Sequence, residues 1–182
     1  MPNLIDVDYF NDNMTQLGLK AAFTPLPDAL TVLIGDASDW VQNYCDRAFV
    51  AGPVVEVLRG RGYHRLILDQ FPVNSLTTIT YESDAGATGS VDITKVRVLT
   101  GGIAEFKNPV NGPWRSDYTY TVTYNAGYAT VPSAVKRATA LKVADLMSPQ
   151  YRGPQDREVN MVSDIEEKII DLLEHYRRER LG

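Results

Sequence analysis

The sequence is poor in the residues that most often carry chemistry. It has one cysteine, Cys45, and two histidines, His64 and His175, among 182 residues. A lone cysteine excludes an intramolecular disulfide and suits a reducing compartment. The two histidines fall on different elements, and neither has a partner at metal-ligand spacing. No P-loop, G-x-S-x-G or dinucleotide fingerprint occurs. Asp36 and Asp39 share a helix face and imitate a carboxylate pair, but no third group converges on them. Cys45 lies beside Tyr44 on a helix face and reads as a small buried hydrophobe. The expectation is a protein with no catalytic, cofactor-binding or metal-binding residues.

Other absences narrow the class further. The start, MPNLIDVDYF, carries acids and no basic-then-apolar run, so no signal peptide is expected. No apolar run approaches the ~18 residues of a membrane span. A net charge of −5 argues against wrapping nucleic acid through a basic surface. What is present is ordinary: 44% hydrophobic and 23% charged residues, enough apolar material for a core. The expectation is a soluble protein made in a cytoplasm, without internal repeats.

The order of elements carries the most information. An irregular arm with a short helix, residues 1–27, comes first. Asp8 is its expected N-cap, Phe10, Met14 and Leu17 its stripe, and Gly18 its end. Pro27 and Asp28 open a longer helix. Leu30, Ile34, Ala37, Val41 and Tyr44 form its apolar stripe, Leu33 and Trp40 widen it, and Asp36, Asp39, Gln42 and Asp46 fill the polar remainder. From Gly52 the period falls to two. Val54–Asp69 reads as a hairpin turning over Arg59–Gly62, Pro72–Ser83 as a β-branched strand, and Asp84–Ser90 as a glycine-rich turn. Two further short strands, VDITKVRVL and GGIAEF, precede a Pro/Gly loop at Asn108–Trp114. In the last strand Tyr118, Tyr120, Val122 and Tyr124 face one way and Thr119, Thr121 and Thr123 the other. About six strands suffice for a small sandwich or curled sheet.

A second long helix, Pro132–Met147, is apolar around most of its circumference, as a helix contacted on more than one side must be. Ser148–Asn160 reads as a polar connector. A third helix starts at Ser163 with Glu166 completing a capping box, and Ile165, Ile169, Leu172, Leu173 and Tyr176 make its stripe. The sum is an α+β fold: a helical bundle of about three to four helices (residues 28–51 and 130–182) with an inserted small antiparallel β module (residues 52–129).

Three features are candidates for binding. Trp114 beside the tyrosine-rich strand could stack on a sugar or partner, or belong to a core-and-edge aromatic cluster. Arg59, Arg61 and Arg65 could meet phosphate or acidic protein, or serve turn solubility. The arginine-rich end, HYRRERLG, matches the helix dipole and also suits charge-assisted contact with a partner.

Four stretches in order resemble the head–tail adaptor (head-completion, or connector) proteins of tailed bacteriophages. IGDASDWVQNYCDRAF is similar to that family's first long helix. LILDQFPVNSLTTI resembles its strand entry, VTYNAGYATVPSAVKRAT its Thr-Tyr-x-Ala-Gly-Tyr…Val-Pro segment, and LLEHYRR its C-terminal ending. The likeness runs from about Ile34 to the C-terminus, and no role is carried onto residues 1–26. It implies a structural virion protein without cofactor, assembled in the host cytoplasm into the neck. There a ring, usually of twelve copies, sits beneath the portal protein, extends the DNA channel and joins the capsid to a head-closure (stopper) or tail protein. DNA would pass without specific binding, and an acidic lumen would repel it. With that reading, Ile165, Ile169, Leu172, Leu173, Tyr176, Arg177, Arg178 and Arg180 are the candidate portal-binding residues. Tyr118, Tyr120, Tyr124 and Trp114 are the candidate inter-subunit residues. The alternatives are a neighbouring neck component, a carbohydrate- or cell-surface-binding β module, and a small hydrolase using Asp or Glu pairs.

Overall fold

The computed structural model describes residues 2–13, 27–99, 101–108, 112–151 and 160–177. The chain divides into a helical unit, residues 1–49 with 130–182, and a β unit, residues 50–129. Together they make an α+β protein of four α-helices and seven antiparallel strands among the described residues.

In the helical unit, α1 spans Val7–Asn13. Its N-cap is Asp6, whose Oδ1 accepts from the Tyr9 amide at 2.7 Å. Asp8, expected in that role, is instead the second residue of the helix, in its first turn. Phe10 is fully buried; Met14, Leu17 and Gly18 lie outside the described residues.

Helix α2, Pro27–Cys45, buries Leu30, Ile34, Ala37, Val41 and Cys45. Cys45 rather than Tyr44 continues the stripe, since it falls four residues after Val41. Gln42, expected on the polar face, is also buried. The N-terminal segment covers that side of the helix: Leu4 and Ile5 are buried, and the Leu4 amide donates to Ser38 Oγ at 3.0 Å. The helix ends in a Schellman arrangement, with the Arg47 amide on the Gln42 carbonyl and the Asp46 amide on that of Asn43. Asp46 takes the left-handed position there, at φ 52°. Asp tolerates it better than most residues.

Helix α3, Ser133–Tyr151, packs against both α2 and α4. Val135, Ala138, Thr139, Ala140, Val143, Ala144 and Met147 are buried on more than one side of it. It continues through Ser148–Tyr151, which had read as connector; residues 152–159 lie outside the described set. Helix α4 spans Asn160–Leu173 and runs into a 3₁₀ turn at Glu174–Tyr176. Starting at Asn160, it holds Ser163 in its interior, so the expected capping box is not its start.

The β unit is built from β1 (Gly52–Arg59), β2 (Arg65–Ile67), β3 (Val73–Ser83), β4 (Thr88–Ser90), β5 (Val96–Leu99), β6 (Ile103–Phe106) and β7 (Tyr118–Ala126). They form a four-stranded sheet in the order β1-β7-β3-β4 and a three-stranded sheet in the order β2-β6-β5. The expected hairpin over Val54–Asp69 does not form: β1 pairs with β7 and β2 with β6. The intervening glycines are held instead by a distant segment, with the Gly60 amide on the Tyr118 carbonyl at 2.9 Å and the Gly62 amide on the Trp114 carbonyl at 2.7 Å. That anchoring sends the chain from one sheet to the other. Leu66, Val96 and Ala104 of the small sheet and Ile79, Tyr120, Val122 and Tyr124 of the large one close a single core. A short strand, β4, lies where only a turn was expected. A 3₁₀ turn, Ile93–Lys95, capped by Asp92, interrupts the segment read as continuous strand.

Candidate assembly surfaces

The residues expected between subunits are mostly interior. Trp114 is fully buried and donates from Nε1 to the Ala104 carbonyl at 3.2 Å. Its ring stacks on Phe106 at 4.6 Å and meets Tyr120 edge-on at 5.1 Å. Tyr120 and Tyr124 are 4% and 1% exposed, so neither offers a platform to a partner. The physical reason is the second sheet: the tyrosine face of β7 turns toward it, and the aromatics are core. Tyr118, at the edge of this cluster, is half-buried and stacks on Tyr81 at 4.7 Å, with the Arg115 guanidinium 4.4 Å from its centroid.

Tyr124 also closes a polar network inside the β unit. Its hydroxyl donates to Glu56 Oε1 and accepts from the Gln70 amide at 3.0 Å. The Asp69 amide donates to both Glu56 oxygens, at 3.0 and 2.9 Å. Burial, and then the carboxylate of Glu56, push the Tyr124 phenol well above its ordinary value. Glu56 is thereby held on the inward side of β1. Val55 and Val57 face solvent at 64% and 67% exposure. Across from them stand Thr123 and Thr121 of β7, giving an outer sheet face of valine and threonine.

The candidate portal-binding stripe divides. Ile169 and Leu173 are fully buried, consumed by packing in the bundle. Ile165, Leu172 and Tyr176 are half-buried, and Tyr176 meets Phe49 edge-on at 5.9 Å. Arg177 is exposed, 5.6 Å from the Tyr44 centroid. Tyr44 stacks in turn on Trp40 at 5.4 Å, over which Lys142 sits at 4.7 Å. This ladder fastens the end of α4 to α2. Arg178 and Arg180 lie outside the described residues.

The remaining candidates stay apart. Cys45 is buried on α2, and desolvation pushes its thiol up to about 11, against the opposing pull of Arg47 and Arg177. His64 and His175 are exposed on different units, and Asp36 and Asp39 are exposed on α2. Among the described residues no group of three or more His, Cys, Asp or Glu is placed to hold a metal. No helix among them is long and apolar enough to cross a membrane. Arg59, the last residue of β1, forks onto Asp84 at 2.6 and 2.5 Å, and Arg65, the first of β2, reaches Glu105 at 3.6 Å. Arg61 is exposed and has no hydrogen bond or ion pair among the described residues.

Comparison with known proteins places this architecture. No curated protein matches the sequence. Solved structures do. A chain from the neck of an empty gene transfer agent particle, with C6 symmetry, aligns at a TM-score of 0.66 and 17% identity, covering 98% of this chain and 92% of that one. A chain from the virion of the native gene transfer agent particle aligns at 0.68 and 17%, with the same coverages. One from the native neck with C12 symmetry aligns at 0.60 and 15%, covering 100% and 96%. These likenesses establish a shared fold. The profile of the head completion protein family matches residues 10–179, from α1 to beyond α4. The chain belongs to the head completion protein family.

Proposed function

We propose that this chain is a head–tail adaptor: a structural, non-catalytic protein of the virion neck that forms a ring beneath the portal and joins capsid to tail. The observation carrying this is the family match over residues 10–179. The shared fold with chains of gene transfer agent necks and virions supports it. Assembly takes place in the host cytoplasm, with about twelve copies per ring and a head-closure or tail protein below. The charge distribution suits a channel that passes DNA without gripping it. The helical unit holds sixteen acidic against eleven basic residues and the β unit seven of each, so the whole net charge of −5 belongs to the helical unit.

Docking to the portal falls on the end of α4. Because Ile169 and Leu173 are committed to the bundle, the outer edges of Ile165, Leu172 and Tyr176 and the exposed Arg177 remain for docking, with Arg178 and Arg180 following in the sequence. Replacing the three arginines by glutamate is expected to abolish portal binding while leaving the melting temperature unchanged. Imaging of particles carrying the variant, against wild type, checks both parts of the reading. A single copy per vertex, or wild-type chains scattered over the capsid, sinks the ring. Normal docking of the variant sinks the assignment of the tail. The carbohydrate-binding alternative loses its platform with the burial of Trp114.

A further inference from the structure

Two exposed patches on this chain are complementary in charge, and each lacks a partner among the described residues. The first is the tip of the loop between β1 and β2. From Val57 to Leu68 the sequence contains no acid and carries Arg59, Arg61, His64 and Arg65. Arg59 and Arg65 are spent on Asp84 and Glu105, but Arg61 is exposed and unpaired, and Tyr63 beside it is 68% exposed.

The loop is rigid by construction. The Gly62 amide donates to the Trp114 carbonyl and the Trp114 amide to the Tyr63 carbonyl, at 2.7 and 2.8 Å. A Cβ on Gly60 would fall 1.9 Å from the Arg115 carbonyl oxygen, so only glycine lets the loop lie this close. Arg61 and Tyr63 are therefore presented at little entropic cost, and arginine and tyrosine are residue types enriched at protein–protein hot spots.

The second patch is the outer face of α2. Asp28, Val32 and Asp36 are successive residues four apart, all exposed, with Val32 at 64%. Neither carboxylate has a partner among the described residues. The spacings match: one helical turn separates Val32 from each aspartate by about 6 Å, and two loop residues span at most about 7 Å. Tyr63 can cover Val32 while Arg61 reaches Asp28 or Asp36.

We infer that neighbouring copies of this chain join head to tail, the Arg61–Tyr63 loop of one copy seated on the Asp28–Val32–Asp36 face of α2 of the next. The partner is a second copy, because the loop belongs to the neutral β unit and the acids to the unit that carries the entire net negative charge. A phosphate backbone is the poorer occupant. Nucleic acid needs several neutralising cations, and this patch has one uncommitted arginine on a chain of net charge −5. Donor and acceptor are different surfaces, so the contact is heterologous and repeats into a closed ring or a chain. The inference rests on the adaptor reading for its biological setting only.

Disulfide trapping tests it, with little background because the native Cys45 is buried. A variant carrying both Val32→Cys and Tyr63→Cys, concentrated at low salt and mildly oxidised, is expected to give a ladder of covalent multimers. An equimolar mixture of the two single variants should stop at dimers, since each copy then offers one half of the contact. Adding Arg61→Glu should cut the trapped multimers about tenfold or more, as should adding Asp28→Arg with Asp36→Arg, and combining the reversals should restore the ladder. Unchanged melting curves establish that each variant is folded. No ladder, a ladder that survives Arg61→Glu, or reversals that do not rescue one another overturns the contact. A ring seen in particles alongside a failed ladder places the copy–copy contact elsewhere and leaves the adaptor reading intact. Absence of the chain from the neck does the reverse.

Discussion

Tyr124 shows how one side chain can set the character of a whole strand. Its hydroxyl and the Asp69 amide draw Glu56 inward, and the valines on either side turn outward as a consequence. Tyr124→Phe removes the phenolic donor and leaves the Gln70 amide without its acceptor. The expected loss is about 1–3 kcal/mol, read as a lower denaturation midpoint with unchanged slope. The raised phenol also has a pH signature. Below the ordinary tyrosine value of 10.0 the side chain is neutral in both states, and its contribution is fully present. As pH rises beyond that value the unfolded chain gains by ionising and the buried phenol does not, so stability falls. Tyr124→Phe should flatten that alkaline decline, which pH-dependent denaturation curves would reveal. Tyr120, raised mainly by burial, adds a decline of the same sign that persists in the variant.

At the scale of elements, α4 decides between two uses of one apolar stripe. Ile169 and Leu173 are fully buried, and α4 packs along α3, so the helix is a structural member of the bundle before it is a docking surface. Ile169→Ala is expected to cost about 2–5 kcal/mol through lost burial and a residual cavity. Chain ending after Val162 should lose its cooperative thermal transition or aggregate, as calorimetry would show. A truncated chain that melts like wild type would return the stripe to the docking role. The small residues along α3, Ala138, Ala140 and Ala144, are all buried, which is how one helix can be approached by both α2 and α4.

For the molecule as a whole, the two units have separate cores, and the chain enters and leaves the β unit at one place. Val50 and Tyr128 form a bridge, and the Ala51 amide donates to the Tyr128 carbonyl at 3.1 Å. A module with adjacent ends and its own core can be excised with little loss of contact. A fragment of residues 50–129 is therefore expected to fold alone, giving dispersed amide resonances and a cooperative melt. A fragment with collapsed dispersion would show that the β unit depends on the helical one. The exposed Val55 and Val57 make such a fragment prone to associate, because β1 is an edge strand paired on one side only.

Local patterns and their order were legible before any fold was known. The 3.6-residue stripe of α2, the two-sided apolar surface of α3 and the alternation along β7 depend on neighbours within a few residues, and periodicity reports those directly. The family was legible for the same reason, in the four segments Ile34–Phe49, Leu66–Ile79, Val122–Thr139 and Leu172–Arg178. Tertiary structure alone decided who pairs with whom. Glycines at Gly60 and Gly62 read locally as a hairpin turn, yet their amides are claimed by Trp114 and Tyr118 more than fifty residues later. Gln42 reads as a solvent-facing residue until the N-terminal segment covers it. Trp114 read as a partner platform or as part of a core-and-edge aromatic cluster, and the second sheet made it core. Burial is a property of the other surface, and the sequence around a residue does not contain that surface.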